Sequence, residues 1–441
     1  MGGNIAIKGT HATDTIDRRG LLGGGLATGA LVGAGLRPRR ARAQAPVTLT
    51  LAVWGAQAEE DAFKSIIDKY RALHPNVMIR LEVNGNSMQL YQLVDTRLAG
   101  RQAPDIFRIQ YQQVGRYASA RALVDLTPYL DQGYAGQFGP AFWQAVTFQD
   151  KQFALPHHTD TFALYYNVDF LRNVGVEMPR SLDHSLKWDE FIRIARQLKE
   201  KGNAPYGFAM GWQNSSAYRW LPFLYQHGGQ MLDAELRQPQ LVSSTGVETL
   251  AWTQSWFKEG LVPPSTSVKS SEQTQNLFAN GTIGMLLGGD WQIPFLQQNM
   301  TKYKWDVTYM PRDVAMASDL GGNCLAVSRD SRNQDVAADF IKFIVSEENM
   351  RAFVTAAQFL PVRTALMNQE LAYALRPDAM KVYVEQAHTI PDHLVRTVTM
   401  PIFSKINAAM ADELDLTFTS GQDPATTAQN LDTKIKAVLG G

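Results

Sequence analysis

Residues 47–83 constrain the fold of this chain more than any other stretch. Val47-Thr-Leu49-Thr-Leu51-Ala-Val53-Trp54 alternates apolar and other side chains with period two, the pattern of a strand ending at Trp54. Phe63, Ile66, Ile67 and Tyr70 then fall at i, i+3, i+4 and i+7, the stripe of an amphipathic helix. His74-Pro75 closes that helix, because the residue before proline is pushed out of the helical region. Val77, Ile79, Leu81 and Val83 return to period two. Strand, helix and strand in this order predict a parallel pair joined by a crossover, since a hairpin cannot connect parallel neighbours. A helix over Leu90 to Leu98 and a strand over Asp105 to Ile109 repeat the unit, so residues 46–156 read as one doubly wound α/β lobe. In such sheets ligands sit beyond the carboxyl ends of the strands, where Trp54 and Gln110-Tyr111 fall.

The 396 residues after Ala45 exceed what one hydrophobic core usually organises, so a second lobe is expected. It starts near Pro156, with a strand over Phe162 to Asn167 and a helical stripe from Trp188 to Leu198 capped by Gly202. Val247 to Phe257 and Val336 to Ile344 mark further helices, the latter after a strand-like Leu325-Ala326-Val327-Ser328.

The first 45 residues read as an export leader. Arg18-Arg19 precedes a 16-residue apolar run, Leu21 to Leu36, diluted by glycines and followed by Ala43-Gln44-Ala45, a small-x-small cleavage pattern. The run is shorter than the roughly 20 residues a membrane-spanning helix needs. The adjacent arginines, with Arg37, Arg39, Arg40 and Arg42 before the cleavage pattern, favour the twin-arginine route for folded proteins. Seven of the 42 basic and two of the 42 acidic residues lie in this leader, leaving 35 and 40 and a net charge of −5. That balance argues against nucleic acid as a partner. Cys324 is the only cysteine, which excludes an intrachain disulfide, a cysteine metal cluster and a lipid-bearing Cys at the cleavage pattern. A soluble, unanchored periplasmic monomer is the expectation.

Signatures of common catalytic classes are absent: no G-x-S-x-G, no H-E-x-x-H, no phosphate loop and no G-x-G-x-x-G after a strand. Glu59-Glu60-Asp61 stands at a predicted helix start, where the macrodipole accounts for it. His157-His158 and Tyr165-Tyr166 are poor metal ligands, because neighbours on a strand face opposite sides. The histidines fit a hinge or cleft wall, and one tyrosine of the pair is expected in the core and one in a cleft. No metal and no cofactor are expected.

The passage Lys151-Gln-Phe-Ala-Leu-Pro156-His-His-Thr-Asp160-Thr-Phe-Ala-Leu-Tyr-Tyr166-Asn167, followed by Trp188-Asp189-Glu190, resembles extracellular solute-binding proteins of sugar ABC importers, family 1. Ala103-Pro104-Asp105-Ile106, Asn280-Gly281-Thr282-Ile283 with Gly288-Gly289-Asp290-Trp291, and Gly321-Gly322-Asn323 with Ala337-Ala338-Asp339-Phe340 are similar in the same order. The resemblance implies a type II periplasmic-binding-protein fold: two α/β lobes, each a mixed, mainly parallel sheet flanked by helices, around a ligand cleft. It places 46–156 with about 311–345 in lobe 1, and 157–310 with about 346–441 in lobe 2. It implies a carbohydrate ligand, ABC permease subunits as partners, and no catalysis.

A sugar presents an apolar C–H face and a hydroxyl rim, so its site needs an aromatic platform with fixed donors and acceptors. Trp291, in a Gly-rich loop after an apolar run, is the first platform candidate, with Trp54, Tyr111 and Trp212 beside it. Gln110, Asp160, Asn323 and Arg363 are the polar candidates, taken from positions near the matching motifs. Trp143, Trp188, Trp252 and Trp256 are assigned to packing, and Cys324 to an inert buried thiol. Two alternatives remain: a secreted carbohydrate-active enzyme, which needs two carboxylates facing the cleft, and a binder of another solute such as a glycerophosphodiester.

Overall fold

The computed structural model describes residues 46–212 and 216–440, so the expected leader lies outside the described residues. Its strands are β1 Val47–Trp54, β2 Val77–Asn84, β3 Ile106–Gln110, β4 Thr147–Phe148, β5 Lys151–Gln152, β6 Leu155–His158, β7 Phe162–Asn167, β8 Tyr206–Met210, β9 Ile283–Gly289, β10 Trp305–Thr308 and β11 Asn323–Val327. The alternation at 47–83 forms as expected: β1 and β2 pair in parallel from Val47↔Val77 to Trp54↔Asn84, joined by helix α1, Gln57–Leu73. Phe63, Ile66 and Tyr70 turn the apolar stripe of α1 onto the sheet. Helix α2, Ser87–Ala99, starts at Asn86, whose side chain caps Gln89 N, and leads to β3, also parallel to β1.

Two sheets organise the rest. The first has the order β2-β1-β3-β11-β6 and the second β10-β7-β9-β8, with β4 and β5 forming a separate small hairpin. Parallel pairing holds among β1, β2 and β3 and between β8 and β9. It gives way to antiparallel pairing where β11 enters between β3 and β6, and where β7 pairs with β9 and β10. The direction reverses because β7 and β11 follow directly from crossings between the sheets.

The chain crosses between the sheets at 159–161, at 317–322 and at 358–361. The crossings are tied together: Thr159 and Leu360 exchange N–H···O bonds of 2.9 and 3.0 Å, and Gly321 N–H reaches Asp160 O at 3.1 Å. Gly322 has φ +96°, and a Cβ there would stand 2.4 Å from His158 O, so only glycine fits this junction. The helix Gln334–Ile344 packs under the first sheet, and Glu347–Ala357 lies against α1 and β6. The helix Pro377–Ala387 packs on β7 and β10.

Trp188 and Trp256 are buried, and Trp188 stacks on Trp252 with centroids 3.7 Å apart. Trp143 stacks on Phe138 at 5.6 Å. Tyr165 and Tyr166 correct the expectation of one core and one cleft residue, because both are buried. Tyr165 Oη donates to Gly289 O at 2.7 Å, and Tyr166 Oη to Asp306 at 3.2 Å. Among the described residues, no helix is long and apolar enough to cross a membrane.

Candidate ligand-binding site

A cavity of about 440 Å³ opens between the two sheets at the carboxyl ends of β1 and β3. One wall comes from the first sheet: Trp54 and Glu59 where β1 passes into α1, residues 85–87 at the start of α2, and Arg108 and Gln110 of β3. The opposite wall carries Gly211, Arg219, residues 272–275 and Trp291. Asp160 and Phe359 from the crossings and Asn323 at the start of β11 form the floor.

Each wall offers a half-buried tryptophan supported by a buried arginine. Arg108, 1 % exposed, places its guanidinium 4.6 Å from the Trp54 ring centroid. It also donates to Trp54 O and to the Glu59 carboxylate, while Nη2 stands 3.1 Å from His158 Nε2. With its amide oxygen turned towards Arg108, Asn323 accepts from Nη2 at 2.9 Å. Tyr91 completes the wall, edge-on to Trp54 at 5.9 Å and accepting Gln110 N–H at 3.0 Å. On the other side Arg219 lies 4.9 Å from the Trp291 centroid and 4.4 Å from that of Phe162. Arg219 donates to Gly211 O at 3.1 Å and to Tyr218 Oη at 3.3 Å. The indole of Trp291 rests on Gly289, where a Cβ would come within 1.8 Å of the ring. Tyr165 and Tyr383 hold the carbonyls of Gly289 and Gly288 beneath it.

Electrostatically the floor is unusual. Burial, countered by Arg219 and reinforced by Asp319, pushes the Asp160 carboxyl up to about 7. Burial also raises Asp290 and Asp319, which stand behind the cavity wall. Burial and then the Arg108 charge hold His157 and His158 well below the usual imidazole range, so both rings are neutral. Among the described residues, no group of three or more His, Cys, Asp or Glu is arranged to hold a metal ion.

Five of the eight expected site residues meet in this cavity: Trp54, Gln110, Asp160, Trp291 and Asn323. Three do not. The chain turns into the helix Tyr111–Ser119 immediately after β3, which carries Tyr111 under the sheet, fully buried, with its hydroxyl on His158 O at 3.0 Å. Trp212 turns into the core beside Phe418, 5.8 Å between centroids, and only Gly211 next to it reaches the cavity. Arg363 sits beyond the third crossing, bridged to Phe138; it donates to Val345 O and to Gln137 at 2.6 Å, with its guanidinium 4.8 Å from the Phe138 ring.

Arg108, Arg219 and Phe359 line the cavity without a signal having been read for them, and Glu59, assigned to the helix start alone, lines it too. A signal for Arg108 existed: it is a charge inside an otherwise apolar strand, two residues before Gln110 and therefore on the same face. Glu59 does cap the helix, accepting Ala56 N–H at 2.9 Å, and its second oxygen takes Arg108. A smaller apolar cavity of about 180 Å³, lined by Phe142, Leu360, Met367 and Ile390 among others, holds none of the eight.

Two α/β halves, three crossings and a cavity walled from both sides define a cleft-type binding protein. Residues 56–351 match the family described as bacterial extracellular solute-binding protein, and the chain belongs to that family. A protein of Brucella abortus (strain 2308) named putative binding protein is 23 % identical over 345 residues, covering 76 % of this chain and 82 % of the relative. The diacetylchitobiose binding protein DasA of Streptomyces coelicolor is 24 % identical over 336 residues, covering 73 % and 74 %. The GacH receptor of Streptomyces glaucescens, whose crystal structures are unliganded and in complex with acarbose and an acarbose homolog, aligns with a TM-score of 0.77 at 21 % identity, over 90 % of this chain and 99 % of that one. The family, DasA and the GacH receptor are described as binding proteins or receptors.

Proposed function

We propose that this protein is the exported substrate-binding component of an ABC importer. It captures a carbohydrate, a mono- or oligosaccharide or a sugar derivative, between its lobes and delivers it to the membrane permease. The observation that carries this reading is the pair of arginine-backed indoles, Trp54 and Trp291, facing one polar cavity from opposite walls. Indole faces meet the C–H face of a sugar, while Gln110, Asn323 and Asp160 meet its hydroxyls. The diacetylchitobiose and acarbose ligands of the two relatives support the same class.

Ligand bridging both walls stabilises the closed arrangement by its differential affinity for closed over open, and the permease recognises that closed surface. Micromolar capture corresponds to about −8 kcal/mol, within reach of two stacked faces and several hydroxyl hydrogen bonds. The lobes follow the sheets: residues 46–158 and about 323–357 form one, the second sheet and the helices on it the other. This division assigns 346–357 to the first lobe, because that helix packs on α1 and β6. The protein acts as a monomer in the periplasm, reached by a twin-arginine leader within residues 1–45, without catalysis, metal or cofactor.

A thermal-shift panel tests the reading. Maltose, maltotriose, N,N′-diacetylchitobiose and acarbose are set against sugar phosphates and glycerophosphodiesters. Stabilisation by members of the first group alone is expected, and stabilisation by phosphodiesters alone overturns it. Release of shortened sugars during incubation would contradict the non-catalytic assignment.

A further inference from the structure

Pairing of β3 with β1 stops early. Leu51↔Ile106 and Ala52↔Phe107 are in register, whereas β11 continues alongside β3 as far as Asn323↔Gln110. The last residues of β3 therefore lack a strand on the β1 side, and a backbone N–H left unpaired there is costly. Helix α2, which packs on β1 and β2, fills that side with Tyr91. The Tyr91 hydroxyl accepts Gln110 N–H at 3.0 Å and donates to Gln110 Oε1 at 3.3 Å. Its ring stands edge-on to Trp54, centroids 5.9 Å apart, and packs against Tyr117 at 6.3 Å. Trp54 and Gln110 line the cavity, and Tyr91 stands behind them.

This one hydroxyl decides which end of the Gln110 amide the cleft meets. A phenol has one proton to give and lone pairs to accept with. Tyr91 accepts the backbone N–H and gives its own proton to Oε1. With the amide turned over, Nε2 would offer it further donors, and the buried O–H would lose its acceptor, a costly arrangement. Burial pushes the hydroxyl well above its usual range, so it keeps that proton. Because Oε1 is held behind the wall, Nε2 is the end of the amide left for the cavity, and it carries donors only.

We propose that Tyr91 is a positioning residue that sets the polarity of the first wall, fixing Gln110 as a hydrogen-bond donor to the ligand and bracing Trp54 beside it. At this point the cleft selects a ligand oxygen that accepts and rejects a group that can only donate. This rests on the carbohydrate reading above.

Calorimetry at pH 8 with maltotriose and N,N′-diacetylchitobiose tests the polarity. Gln110→Glu keeps an acceptor for Tyr91 but offers the ligand no donor, and is expected to bind the better sugar about tenfold more weakly, as Gln110→Leu does. Affinity in Gln110→Glu equal to or above that of the unaltered protein overturns the proposal. Tyr91→Phe keeps the ring against Trp54 and removes the hydroxyl alone. It is expected to weaken binding about tenfold, but less than about twofold when Gln110 is already leucine. The same loss in both backgrounds overturns the proposal, because the tyrosine would then act through the fold and not through Gln110. If Tyr91→Phe does not fold, the Gln110 variants decide. A third measurement needs no sugar: in protein carrying ¹⁵N at the glutamine side chains, the Nε2 signal lost in Gln110→Leu is expected to exchange protons with water as an open amide does. Protection of those protons overturns the proposal. Failure of both sugars to bind the unaltered protein counts against the carbohydrate reading instead, and the amide exchange then decides the polarity of Gln110 alone.

Discussion

Trp291 carries the most exposed consequence of this account. Its half-buried ring rests against Gly289 with the Arg219 guanidinium over it, so Trp291→Ala removes a platform without opening the core. Calorimetry on the best ligand of the panel is expected to show at least tenfold weaker binding with the melting temperature little changed; unchanged affinity removes the stacking role. Arg108 behaves in the opposite way, because Arg108→Met leaves Glu59 buried without its partner. Breaking such a pair costs about 3–5 kcal/mol, so denaturant unfolding should show lost stability as well as lost affinity. Asp160 also sets a sign for pH. Its folded pKa of about 7 lies above the ordinary aspartate value near 3.9, so between the two the folded state holds the extra proton and stability falls as pH rises. Asp160→Asn should flatten that fall, and a thermal scan from pH 4 to about pH 8 with the same slope in both proteins would contradict the assignment. Cys324 is fully buried, with its thiol on Ile109 O at 3.3 Å and pushed well above its usual range by burial. It is expected to stay unmodified by a thiol reagent until the protein unfolds.

The crossings and the strand ends are where sequence and structure part. Period-two alternation exposes β1 and β2 because burial on a sheet face repeats every second residue, and Trp54 at the end of β1 was therefore legible as a wall residue. Gln110 and Tyr111 look equivalent in sequence, yet one ends a strand and the other begins a helix, and a one-residue change of element sends the tyrosine under the sheet. No local periodicity marks that junction. Arg363 and Arg108 show the same limit in reverse: both are arginines near a motif, but which one faces the cleft depends on strand pairings formed by residues more than two hundred positions away. Gly321 and Gly322 were legible as a motif, and their reason is steric. Gly322→Ala forces a Cβ against His158 O at φ +96°. Such an incompatible substitution destabilises by more than about 1 kcal/mol. The melting temperature should drop, and an unchanged value would show that the second crossing tolerates a side chain.

As a whole, the molecule puts its chemistry where its two sheets meet. The crossings are hydrogen-bonded to one another, and with Asn323 at the start of β11 they contribute Asp160 and Phe359 to the same cavity that both walls face. In the reading proposed above, closure pivots on these crossings and brings Trp54 towards Trp291, so ligand contact and closure are one event. The central claim is that a carbohydrate is captured by closing this cleft. Small-angle scattering on the protein without and with the sugar that stabilises it most in the thermal panel tests this directly. A smaller radius of gyration with sugar, absent in Trp291→Ala at the same concentration, is the predicted result, and identical scattering with the site saturated would contradict it.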